Sequence, residues 1–226
     1  MPLIVIEGLD GSGKSTQTEL LGRYLDRRGL RWEHLHFPRF DTPVYGKLIA
    51  RFLRGELGDI ASVDPYIVAM MFAGDRAGAA ARLRSWLAEG TYVLLDRYVE
   101  SNIAYQCAKL DSAPARDELR QWIFELEYGL NAIPEPDLSL LLDVPFRFTE
   151  QNLISRRANE GREYLAGADD IHESSLAFQR RVRDMYMLAA AEGRITTVTC
   201  YDAAGSMLQP QQVAAKIATE VERIMK

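Results

Sequence analysis

With 226 residues, 47% of them apolar, the chain is long enough for one compact domain with a sizeable core. Its net charge of −5 and lack of an extended basic run argue against a non-specific nucleic-acid binder, and no apolar run approaches the ~18 residues of a membrane span. Cys107 and Cys200 lie far apart without metal-binding or redox spacing and no charged leader precedes the first strand, so a cytoplasmic protein with two small core cysteines is expected.

Residues 3–6, Leu-Ile-Val-Ile, read as a buried strand. It runs directly into residues 8–15, Gly-Leu-Asp-Gly-Ser-Gly-Lys-Ser, a complete G-x-x-x-x-G-K-S phosphate loop, and a helix opens at Lys14. Strand, glycine turn and helix N-terminus in this order let successive backbone N–H groups converge on one anion, to which the helix adds partial positive charge. Gly8, Leu9, Asp10, Gly11, Ser12, Gly13, Lys14, Ser15 and Thr16 are therefore the expected ATP site. Lys14 would reach the β- and γ-phosphates, and the Ser15 hydroxyl would ligate Mg2+.

Further along, residues 32–37 alternate as a short strand ending at Pro38, and a helix is expected over about 44–54. Asp64-Pro65 caps a long alanine-rich helix that runs to about Glu89, where Gly90 stops it. Residues 91–96 form a buried strand ending in Asp96, placed to hold the magnesium through water, and Arg97 beside it offers a guanidinium to a phosphate. Helices are expected over about 101–110 and 115–130, then a turn through Pro134 and Pro136 and an apolar strand over 138–144 that Pro145 ends. The next helix carries Arg156 and Arg157, and the polar stretch 158–170 reads as a mobile loop. A helix over about 171–191, a strand over 195–200 and a final helix complete the chain. Apolar strands alternating with helices imply an α/β domain spanning 1–226, a parallel sheet covered on both faces, with ligands beyond the carboxyl ends of the strands.

Several motifs carry a resemblance. Asp10 in the phosphate loop, Phe37-Pro38-Arg39, Phe72-Ala73-Gly74-Asp75-Arg76, and Asp96-Arg97-Tyr98 followed by Ser101-Asn102-Ile103-Ala104-Tyr105-Gln106 stand in one order and spacing. With Leu142-Asp143-Val144-Pro145 and Asp170-Ile171-His172-Glu173, they make the chain resemble the thymidylate kinases over nearly its whole length. The resemblance implies a P-loop, nucleoside-monophosphate-kinase-like sheet of five parallel strands flanked by helices, with a mobile lid at about 156–170. It also implies transfer of the ATP γ-phosphate to dTMP with Mg2+, and a homodimer packed through helices, with the alanine-rich helix a candidate for the interface. Phe72 would stack on the thymine, worth ~1–3 kcal/mol for any base. Arg76, one turn later on the same face, would donate to thymine O4, where the amine of a cytosine sets donor against donor. Asn102 and Tyr105 would approach the base and the sugar, Tyr105 crowding a ribose 2′-hydroxyl. Asp10 would accept from the 3′-hydroxyl, Arg97 would bind the 5′-phosphate with Arg39 assisting, and Phe37 would line the pocket. Phe40 stands where some relatives carry a tyrosine.

Transfer needs positive charge at the moving phosphoryl group, and one well-placed arginine is worth ~10³–10⁵ in rate. Some thymidylate kinases carry that arginine within the phosphate loop, where this chain has Gly11 and Ser12. The resemblance therefore points to Arg156, Arg157 and Arg162 around the lid, acting with Lys14 and Arg97. Glu173 would approach the magnesium or the sugar, residues 201–204 would wall the adenine, and His172 has no assigned proton chemistry. A deoxynucleoside kinase or another nucleoside-monophosphate kinase is the nearest alternative. The former would carry a base near the 5′-hydroxyl in a Glu-Arg-Ser type sequence, whereas Asp96-Arg97-Tyr98 suits a monophosphate acceptor. A nucleotide-dependent switch would need neither Phe72 and Arg76 nor an arginine-bearing lid.

Overall fold

A computed structural model describes residues 1–156, 163–165 and 170–225 of the chain. The order is β1 (Leu3–Glu7), α1 (Lys14–Arg27), β2 (Trp32–His36), α2 (Tyr45–Leu53), α3 (Pro65–Ala77), α4 (Ala80–Ala88), β3 (Tyr92–Asp96), α5 (Val99–Cys107) and α6 (Ala113–Phe124). A π-helical turn (Glu125–Leu130), β4 (Leu138–Asp143), α7 (Phe146–Arg156), a 3-10 turn (Glu163–Leu165), α8 (Ile171–Ser174), α9 (Leu176–Ala191), β5 (Thr196–Thr199) and α10 (Pro210–Ile224) follow.

The period-two alternation of β1 divides the core. Leu3 and Val5 face one side with Val93 and Leu95, under residues of α3 to α6 such as Ala69, Leu83, Ile103 and Leu119. Ile4 and Ile6 face the other with Leu94, Leu140 and Leu142, against Leu21 and Leu25 of α1 and Val213, Ile217 and Val221 of α10. Among the described residues the sheet has five strands in the order β2-β3-β1-β4-β5, every adjacent pair parallel. The chain leaves β1 toward β2 on one side and later fills β4 and β5 on the other. The crevice at this switch point opens above β1, where the phosphate loop begins. Register pairs both Ile6 and His36 with Asp96, so the loop, the acid and the turn after β2 meet at one edge.

Three helices differ from the sequence expectation. The alanine-rich segment is two helices, α3 and α4, interrupted at Gly78 and Ala79. Gly78 is a poor helix former, and a Cβ there would stand 3.0 Å from the Arg39 guanidinium. The segment 171–191 breaks at Ser175, whose extended backbone lets its hydroxyl accept from Phe178 N–H at 3.2 Å and cap α9. The helix expected to end at 130 is α6 continued by a π-helical turn. Cys107 and Cys200 are buried and free, as small core residues should be.

Candidate active site

The phosphate loop is shaped by its own backbone and clamped from α7. Gly11 has φ 76°, and a Cβ there would lie 2.9 Å from Asn152 Cβ, so only glycine fits. Asn152 Nδ2 donates to Gly11 O at 2.7 Å. Lys14 Nζ donates to Gly8 O (3.2 Å) and Leu9 O (2.8 Å), folding the ammonium over the loop. No side chain caps α1 at Gly13, which leaves first-turn N–H groups available to an anion. Ser15 and Thr16 are exposed at the start of the helix, whereas the Leu9 side chain packs in the core under α9.

Beside the loop, Ser15 Oγ donates to Asp96 Oδ2 at 3.0 Å, and His36 Nδ1 lies 3.3 Å from the same oxygen. Asp96 is 1% exposed, and its Oδ1 has no partner among the described residues. Burial pushes this carboxyl up, but the hydrogen bond from His36 and the charges of Lys14 and Arg97 outweigh it and hold it well below the usual carboxylate range. The result is an ionised acceptor in contact with the loop hydroxyl.

Arg97 follows with a left-handed backbone, φ 68°, a strain of about 1–3 kcal/mol for a non-glycine residue. Its Nη1 donates to Gly8 O (3.1 Å) and Ser101 Oγ (3.2 Å), and its Nη2 pairs with Asp10. Asp10 also accepts from Tyr105 Oη and from Gln179 Nε2 at 3.2 Å. Burial again raises the carboxyl, and the Arg97 and Lys14 charges pull it below its ordinary value. Beneath this group sits Glu7, fully buried at the end of β1, which sequence reading missed. It accepts from Tyr98 N–H (2.9 Å) and Ser101 N–H (3.2 Å) around the start of α5, and from Tyr186 Oη of α9 (3.1 Å). The signal was present: an acid closing an apolar strand must find donors.

These groups open onto a cavity of about 390 Å3. Its lining includes Phe72, Arg76 and Asn102, the last two joined through Glu127, and Asp10, Tyr105 and His172, with Ser15 and His36 beside the phosphate loop. Phe37 lines it from a fully buried position, and Phe40 stacks on Tyr164 at 3.8 Å across its rim. Arg76 is held by Glu127 of the π-helical turn, Nε at 3.0 and 2.8 Å from the two carboxylate oxygens and Nη2 on Oε1. Asn102 Nδ2 donates to Glu127 Oε1 (3.0 Å) and Ala69 O (3.1 Å), and its buried Oδ1 has no partner among the described residues. Gln106, one turn further along α5, also lines the cavity, with a buried Oε1 that has no partner among the described residues, and is another residue that sequence reading did not assign.

The structure thus gathers Asp10, Ser15, Phe37, Phe72, Arg76, Arg97, Asn102 and Tyr105 around one cavity. Arg39 is placed differently. Its backbone N–H and Nε donate to the Asp75 carboxylate at 2.8 and 3.1 Å, and it is absent from the cavity lining, so it ties the turn after β2 to α3. Residues 201–204 form a turn in which Tyr201 Oη donates to Asp143 at 3.2 Å. Glu173 lines the cavity beside His172. Of the lid arginines, Arg157 and Arg162 lie outside the described residues, as does the side chain of Arg156.

Residues 6–209 match the family model described as thymidylate kinase. A thymidylate kinase of Mycobacterium tuberculosis (strain H37Rv) is 35% identical over 192 residues, covering 84% of this chain and 86% of the relative. A probable thymidylate kinase of Pyrobaculum aerophilum is 33% identical over 228 residues, covering 100% of this chain and 99% of the relative. Among solved structures, a thymidylate kinase from Candida albicans superposes with a TM-score of 0.70 at 26% identity, over 99% of this chain and 92% of that one.

Proposed function

The chain belongs to the thymidylate kinase family and phosphorylates dTMP to dTDP with ATP as donor; from that premise we propose that the cavity takes the acceptor dTMP while the phosphate loop takes ATP beside it. One observation carries the reading. On two residues that line the cavity with Phe72, a polar atom is left without a protein partner among the described residues: Arg76 Nη1, a donor, and Asn102 Oδ1, an acceptor. A thymine ring on Phe72 offers them O4 and N3–H, whereas a cytosine offers an amine and a bare nitrogen.

The Asp10 carboxylate, also in the lining, would accept from the 3′-hydroxyl of the sugar, with Tyr105 closing the space near C2′. Arg97, fixed by Gly8 O, Ser101 and Asp10, would hold the acceptor phosphate. An oxygen of that phosphate attacks the γ-phosphorus of ATP as the bond to the β-phosphate oxygen breaks, and ADP leaves. Lys14 would turn from its carbonyl acceptors to the β- and γ-phosphates. Ser15 and Asp96 suit Mg2+, which takes few protein oxygens and completes its shell with phosphates and water: the hydroxyl and carboxylate touch, and the buried Asp96 Oδ1 lacks a donor among the described residues. When bound there, the ion neutralises charge on the phosphates.

The phosphate loop carries no arginine at positions 11 and 12, so one of Arg156, Arg157 and Arg162 would supply the missing charge from the lid. Replacing each in turn by alanine should reveal at least one kcat loss of about a hundredfold or more, and near-normal rates in all three variants would remove the assignment. The active species is a homodimer joined through α3, which exposes Ile67 and Met70 on one face; sedimentation of the pure protein decides this. Among the described residues no helix is long and apolar enough to cross a membrane, and the two unpaired buried cysteines suit the reducing cytoplasm.

A further inference from the structure

We propose that Glu127 sets the base preference of the acceptor pocket, fixing both the aim of Arg76 and the orientation of the Asn102 amide. The proposal rests on the thymine reading of that pocket. Glu127 is fully buried and does not line the cavity, so it acts through its two partners as a positioning residue. The π-helical turn Glu125–Leu130 carries it to the base of α5, with Asn131 N–H bonded to Leu126 O and Ile133 N–H to Glu127 O.

The amide of Asn102 is the group that Glu127 orients. Oxygen and nitrogen of an asparagine exchange places by a half-turn, and the surrounding network decides which way it sits. Here both hydrogens of Nδ2 have acceptors, Glu127 Oε1 at 3.0 Å and Ala69 O at 3.1 Å. A flip would set Oδ1 against a carboxylate and a carbonyl, acceptor against acceptor, so Oδ1 is kept for the pocket. The same carboxylate occupies Nε and Nη2 of Arg76 and leaves Nη1 for a ligand. One buried carboxylate therefore fixes a donor and an acceptor in the order that thymine matches and cytosine opposes. A glutamine at 127 would remove this control, because its own amide could donate to a flipped Asn102 and would no longer balance the Arg76 charge.

The test compares the full-length wild type with Glu127→Gln and Glu127→Asp, measuring kcat and KM with dTMP and with dCMP, the Kd for ATP, and Tm. In Glu127→Gln the KM for dTMP should rise about tenfold and the dTMP-over-dCMP ratio of kcat/KM should fall by about tenfold or more, with kcat and the ATP Kd little changed. Glu127→Asp keeps the charge one methylene short and should restore part of the ratio; it also stands in as the test if the glutamine variant does not fold, with a fall of about threefold expected. A ratio unchanged from wild type in a folded variant, even one with a lowered Tm, would make Glu127 purely structural and overturn the proposal. A wild type that does not prefer dTMP to dCMP would overturn the thymine reading itself.

Discussion

His172 shows how single side chains keep the pocket in balance. Its ring lies 4.9 Å from Tyr105, 5.5 Å from Phe52 and 5.7 Å from Phe178. Burial, helped by Lys109 and Arg97 and opposed by Asp10, pushes its pKa from 6.5 down to about 3. The unfolded chain takes up this proton near pH 6.5 and the folded chain does not, so the stability tied to the neutral ring is complete above 6.5 and declines as pH falls toward 3. The Tm advantage of wild type over His172→Gln should therefore shrink as pH falls from about 7 to about 4.5; a pH-independent difference would contradict a neutral buried ring. Local chemistry of this sort was partly legible in the sequence. Gly8 to Ser15 and Asp96-Arg97 could be read because a few neighbouring residues define them. Glu7 could be flagged as an acid in need of donors, but its partner Tyr98, and Arg76 as the partner of Glu127, could not be read, because they lie 91 and 51 positions away and only the fold brings them together.

At the scale of elements, α2 sits close against the turn after β2, beside the site. A Cβ on Gly46 would stand 2.2 Å from Arg39 O and 2.7 Å from Thr42 Oγ1, and its N–H already bonds that hydroxyl at 2.8 Å. Gly46→Ala must push α2 away from the turn bearing Phe37 and Phe40, costing about 1–3 kcal/mol in urea unfolding and raising the KM for dTMP. Wild-type stability and KM in that variant would contradict the packing. All five strands were legible: β1, β3 and β4 from apolar runs bounded by glycine, proline or an acid, β2 from its alternation before Pro38, and β5 as the stretch 195–200. Helix interruptions were harder: Ser175 reads as an ordinary helix residue until its hydroxyl is seen capping α9, and Gly78 stands in an alanine-rich context that masks the break. The π-helical turn has no sequence signature of its own, although it carries Glu127 to Arg76 and Asn102, behind the pocket wall.

For the whole molecule, strand order decides what can meet. With β1 between β3 and β4, the phosphate loop stands next to Asp96 on one side, while α7, following β4, supplies Asn152 from the other. The phosphate loop and the cavity lined by Phe72, Arg76 and Asn102 therefore share one crevice, with Asp10 and Ser15 of the loop in the cavity lining. Discrimination against dUMP rests on one methyl group, worth only ~1–3 kcal/mol, so the sharper contrast is between bases of opposite hydrogen-bond polarity and between a phosphate and a hydroxyl as acceptor. ADP release measured with ATP and saturating or limiting dTMP, dCMP, dUMP and thymidine tests the account most directly. It predicts rapid release with dTMP, a kcat/KM for dCMP lower by about tenfold or more, and none with thymidine; turnover of thymidine without dTMP, or equal use of dTMP and dCMP, would contradict it.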